Sequence, residues 1–129
     1  MNTLLKTTAT VGVAALIAVP TSMVLASPAN ADTERQGRCG GARYEFEVDR
    51  ERGGFEIDAD IDGAAARSTW RLTLKHDGKV YYNKVRTADR EGEIDVERFR
   101  PNTAGKDVFT LRVKNTKTGK VCRTGISVR

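Results

Sequence analysis

One histidine and two cysteines argue first against a zinc site built from several His and Cys ligands. Aromatic residues make up only 6% of the 129-residue chain, and three prolines leave no proline-rich linker. No apolar run reaches the ~20 residues that span a bilayer. No long segment carries a 3.6-residue apolar period, so no amphipathic helix is expected. Glycine-rich phosphate loops, nucleotide motifs and haem motifs are missing, and no cofactor is expected. Neither Ser68 nor Ser127 sits in a nucleophile elbow, and the pair His76-Asp77 has no nucleophile beside it in sequence. Glu45 and Glu47 could mimic a glycosidase carboxylate pair, but simple strand alternation explains them. The chain is read as non-catalytic.

The first residues read as an address. Lys6 supplies a positive start, residues 11–19 an apolar core, and Ala29-Asn30-Ala31 an A-x-A cleavage site before Asp32. Residues 1–31 are therefore expected to be a cleaved secretory signal peptide, and the mature chain to be secreted and extracellular, with no membrane span. Losing Lys6 lowers the net charge from +5 to +4. In an exported chain with two cysteines the one available bridge is Cys39–Cys122; the alternative is two free thiols. Residues 32–38 are expected to form a flexible N-terminal tail.

What remains, residues 39–129, alternates as β-strands do. Tyr44, Phe46 and Val48 alternate with acids, as do Phe55, Ile57, Ala59 and Ile61. Trp70, Leu72 and Leu74 lead to Asp77-Gly78, a strong hairpin signal, after which the chain returns through residues 80–85. Ile94 and Val96, then Phe109, Leu111 and Val113, then Val121, Cys122, Ile126 and Val128 complete the set. The expected fold is all-β: a seven-stranded antiparallel immunoglobulin-like sandwich with one disulfide. Its expected core is Tyr44, Phe46, Phe55, Ile57, Ile61, Trp70, Leu72, Leu74, Ile94, Val96, Phe109, Leu111, Val113 and Ile126. The two-residue turn predicts a regular register in which Leu74 faces Tyr81 and Thr73 faces Tyr82.

Cys39-Gly40-Gly41, the run from Trp70 to Gly78, Asn102 through Gly105 to Asp107, and Thr118-Gly119 before Cys122 together resemble small secreted actinobacterial proteins of unassigned function with an Ig-like or fibronectin III-like β-sandwich. The resemblance spans nearly all of the mature chain. Its motifs are turn and core residues, so it implies a fold and not a chemistry. The sequence departs from antibody domains, whose bridge joins the second and sixth strands.

Charge sorts along the chain. Residues 39–66 carry net −5 and residues 67–88 net +5; residues 89–99 carry −3 and residues 100–129 +7. In a fibronectin-like partition the first, second and fifth expected strands share one sheet, and the rest share the other. One outer face is then acidic, with Glu45, Glu47, Glu56, Asp58, Asp60, Glu93, Asp95 and Glu97. The opposite face is basic, and its expected ligand-binding residues are Arg71, Lys75, Tyr82, Lys84, Arg112, Lys114 and Arg123. That pattern suggests a secreted binding module for an anionic cell-envelope polymer or protein. The alternative is a secreted inhibitor or a structural protein that self-associates weakly. Export argues against a nucleic-acid partner.

Asp58, Asp60, Asp62 and Gly63 match the opening of an EF-hand loop, but the bidentate Glu expected at loop position 12 falls at Thr69. No metal site is expected; these three aspartates are the alternative, and acids clustered from three strands could still bind calcium weakly.

Overall fold

The structure, a computed structural model, describes residues 33–129. The expected signal peptide, residues 1–31, lies outside the described residues. Eight strands follow one another: β1 (Glu34–Cys39), β2 (Ala42–Glu51), β3 (Gly54–Asp62), β4 (Thr69–His76), β5 (Lys79–Thr87), β6 (Ile94–Pro101), β7 (Asp107–Asn115) and β8 (Val121–Val128). They form two antiparallel four-stranded sheets, ordered β1-β2-β3-β6 and β5-β4-β7-β8. No helix among the described residues is long and apolar enough to cross a membrane.

The apolar phase of each strand meets its counterpart between the sheets. Phe46, Phe55, Ile57, Leu72, Leu74, Phe109, Leu111 and Ile126 are essentially sealed from solvent. Each such burial stabilises by about 1.5–3 kcal/mol before chain entropy is set against it. Trp70 is buried, and its indole N–H donates to the Ser68 hydroxyl at 2.9 Å, so the ring is sealed without an orphaned donor. Phe55 and Phe109 meet edge to face at 5.1 Å between ring centres. All the expected core residues are buried except Tyr44, which is half-buried against the cluster. Cys39, Ala42, Val48, Ala59, Tyr82, Ala88 and Val128 join them.

Three expectations need correction. There are eight strands and not seven, because residues 34–39 are not a tail: they form β1, paired along its length with β2. Glu34, Arg35, Gln36 and Arg38 give no apolar alternation to read. This edge strand is held by its backbone ladder and by Cys39, which is buried and bridged to Cys122, and it fits tightly at glycine: a Cβ at Gly37 would collide with the phenol of Tyr44. The third correction concerns the β4–β5 hairpin. Asp77 and Gly78 have φ of 50° and 81°, as the tight turn requires. His76↔Lys79 and Lys75↔Val80 pair as expected, but a bulge follows between Leu74 and Lys75, and Leu74 then faces Tyr82. A bulge sets two residues of one strand against one of its partner. Tyr81 and Tyr82 both turn toward the interior, Tyr81 half-buried and Tyr82 buried.

β1 and β8 are edge strands of the two sheets on one side of the molecule, and Cys39–Cys122 joins them with Cα atoms 5.7 Å apart. β5 and β6 are the opposite edges.

Candidate functional site

The sheet partition on which the expected charged faces rest is the one observed, with β1 added beside β2. On β4 and β7, Arg71, Lys75, Arg112 and Lys114 alternate with the buried Leu72, Leu74, Leu111 and Val113, and so occupy the solvent side. Arg71 lies across from Lys114, and Arg112 across from Arg123 of β8. Lys75, Arg112 and Arg123 line an open groove of about 410 Å³ with Thr73, Gly78, Val108, Thr110, Leu111 and Thr124, and none of these residues is acidic. Arg71 reaches sideways to the Asn83 amide oxygen at 2.9 Å. Two expected members of this surface lie elsewhere. Tyr82 is buried in the core, and Lys84 pairs with Leu72 on the inward phase of the edge strand; the bulge rotates both away from the outer face.

The outer face of the other sheet is acidic across β2, β3 and β6. Glu45, Glu47 and Asp49 of β2 lie opposite Asp60, Asp58 and Glu56 of β3, and Asp60 and Asp58 lie opposite Asp95 and Glu97 of β6. Glu93 precedes β6 and is exposed. The ion pair here is Arg43–Asp62, at 3.2 Å, at one end of the face. Elsewhere the carboxyls respond to one another. Glu47 is pushed up to about 7 by a hydrogen bond with Asp49, by desolvation and by the charges of Asp49, Glu34 and Asp58. Asp60 is pushed up to about 7 by burial, by the charge of Asp95 and by a hydrogen bond with it. Burial and Glu97 raise Asp58, and Glu97 above all raises Glu56.

The EF-hand alternative is corrected by this geometry. Asp58, Asp60 and Asp62 are alternate residues of one strand, roughly 7 Å apart, and cannot close on one ion. The carboxylates that do approach one another come from neighbouring strands, such as Glu47, Asp49 and Asp58, or Glu56, Asp58 and Glu97.

These shifts carry a stability consequence. A carboxyl whose pKa is raised by folding binds more protons in the native than in the unfolded chain, so stability falls as pH rises between its two values. For Glu47 and Asp60 that window runs from their ordinary values near 4 up to about 7. Asp107 behaves oppositely. Burial pushes its carboxyl up, but hydrogen bonds from Thr103 and His76 outweigh burial and leave it lowered. Its contribution is lost as pH falls through that lowered value. Stability should therefore peak near pH 4, where the raised carboxyls are still protonated and Asp107 is already ionised. Solvent screening discounts the shifts of these part-exposed carboxyls to ~1 kcal/mol in all, so calorimetry should find Tm at pH 5 about 5 °C above that at pH 7.5 for a domain of this length. Added salt should narrow the gap by screening the acidic face. A Tm that rises steadily from pH 5 to 7.5 would contradict this.

Sequence reasoning missed a buried polar cluster at the opposite end of β4 and β7 from Trp70. His76 and Asp107 are 3% and 1% exposed, and His76 Nε2 lies 2.6 Å from Asp107 Oδ1. Arg100 Nε–H donates to His76 Nδ1 at 3.3 Å, so Nδ1 carries the lone pair and Nε2 the hydrogen that Asp107 accepts. Asp107 also accepts from the Thr103 amide and hydroxyl, and the imidazole stacks on Phe109 with ring centres 4.4 Å apart. The signal was present in the phase. His76 continues the inward series Trp70, Leu72, Leu74, and Asp107 begins the series Phe109, Leu111, Val113.

No protein-family model matches the chain, and no curated protein matches it.

Proposed function

We propose that the chain is a secreted, non-catalytic binding module of immunoglobulin-like form that holds an anionic cell-envelope polymer or protein on the outer face of β4, β7 and β8. The observation that carries this reading is the groove lined by Lys75, Arg112 and Arg123 together with Thr73, Thr110 and Thr124 and by no acidic residue. Cations fixed on adjacent strands of a rigid sheet need little ordering to meet a row of anionic groups, and the threonines add hydrogen-bond donors. The immunoglobulin-like assignment is supported by strand order: without β1, the sheets β2-β3-β6 and β5-β4-β7-β8 follow the fibronectin-like partition. The disulfide is compatible with an extracellular protein.

Retention on an anionic resin tests the reading. The wild type should bind at low salt and elute as screening shortens toward ~8 Å. Lys75, Arg112 and Arg123 changed together to Glu should elute without retention. Arg52, Arg90 and Lys106, all exposed and none lining the groove, changed together to Glu give the same net charge. That control should retain most of the binding. Equal loss in both variants would show that net charge, and not this face, controls adsorption.

A further inference from the structure

The edge formed by β5 and β6 breaks the rule that inward positions are apolar. On β6 the inward series Ile94, Val96 continues as Arg98 and Arg100; on β5 the series from Tyr82 continues as Lys84 and Arg86. These four cations converge on two tyrosine rings. Arg98 Cζ lies 4.7 Å and Lys84 Nζ 5.8 Å from the Tyr82 ring centre, and Arg100 Cζ lies 4.6 Å from that of Tyr81. Arg86 donates to the Tyr82 hydroxyl at 3.1 Å and reaches the Asp95 carbonyl at 3.5 Å, while Arg98 donates to the Glu97 carbonyl at 2.6 Å. Among the described residues, none of the four forms an ion pair with a carboxylate. The Tyr81 hydroxyl is buried within the same seam and makes no hydrogen bond.

Edge strands often carry an inward charge and a bulge as protection against edge-to-edge pairing. That accounts for one cation on each edge. It does not account for four that repel one another around a shared pair of rings. Nor does it account for the support behind one of them: Arg100 is held by His76, His76 by Asp107, and Asp107 by Thr103, a chain whose middle members are buried. A guanidinium laid over a ring keeps N–H groups at its edge, the fork that matches an oxyanion.

We propose that the β5–β6 seam is a binding site for a tetrahedral oxyanion, a phosphate or sulfate group, received by Arg98, Arg100 and Lys84 with the Tyr81 hydroxyl as a further donor. The site shares no residue with the groove on the outer face, so the two readings stand or fall separately.

The disulfide-intact protein, labelled with nitrogen-15, is titrated at constant ionic strength with inorganic phosphate and, separately, with a sugar phosphate. Saturable shifts are expected at Tyr81, Tyr82 and the Arg98 and Arg100 side-chain N–H groups, with a dissociation constant in the millimolar range. A response to phosphate alone assigns the free ion, and a response only to the sugar phosphate assigns a carried group; both support the site. Arg98→Gln and Lys84→Gln lie at exposed positions. Each should weaken binding roughly tenfold, as loss of a charge-assisted hydrogen bond does, while Lys75→Gln with Arg123→Gln should leave it unchanged. Absence of saturable shifts with both ligands, or unchanged affinity in Arg98→Gln, would overturn the proposal.

Discussion

Reduction of the Cys39–Cys122 bridge, or its replacement by Cys39→Ser with Cys122→Ser, should lower stability by about 4.5 kcal/mol, the chain-entropy value for a loop of this length. The two cysteines are 83 residues apart, so the bridge confines most of the described domain in its unfolded state. It also joins β1 to β8, the edge strands of different sheets. A domain of this size has about 5–15 kcal/mol in total, and a change of this magnitude corresponds to a fall in Tm of roughly 20–30 °C. Thermal unfolding with and without reductant measures it. A Tm unchanged on reduction would show that the bridge adds nothing to a sandwich already held by its core.

The second large effect is expected at Asp107. Truncation to Ala strands the buried His76 Nε2–H and takes away the carboxylate that the Thr103 amide and hydroxyl donate to, at a cost of about 3 kcal/mol, the upper end for a buried donor left without its acceptor. Asp107→Asn keeps the shape and one acceptor oxygen, and should cost roughly half as much. Urea unfolding should show the two midpoints separated, with Asn nearer the wild type. An Ala variant within ~1 kcal/mol of wild type would mean that water replaces the carboxylate without penalty.

Periodicity made the interior legible wherever a strand had one dry and one wet face. Phe46, Ile57, Leu74 and Leu111 announce themselves by alternation, and the charge blocks between them sort correctly into two sheets. It failed where the physics differs. β1 is an edge strand whose first five residues carry no apolar side chain, so backbone pairing and the buried, bridged Cys39 define it. The bulge near Leu74 inserts a residue that no turn rule predicts, and it carries Tyr82 from an expected surface position into the core. His76, Asp107, Arg98 and Arg100 sit on inward phases that are apolar elsewhere. A polar or charged residue in phase with a core series was the signal for both the buried pair and the seam. Of the candidate surface, Arg71, Lys75, Arg112, Lys114 and Arg123 were readable because their neighbours are regular; Lys84 and Tyr82 were misplaced because they follow the bulge.

The proposed binding of an anionic polymer or protein on the outer face of β4, β7 and β8 can be mapped directly. Backbone amide shifts of the labelled protein, followed during titration with an anionic oligosaccharide, locate the contact residue by residue. The largest changes should fall on Lys75, Thr110, Arg112 and Arg123, with little change at Glu47, Asp58 and Glu97 on the opposite sheet. Changes of equal size on both sheets, or none at Arg112 and Arg123, would contradict the account.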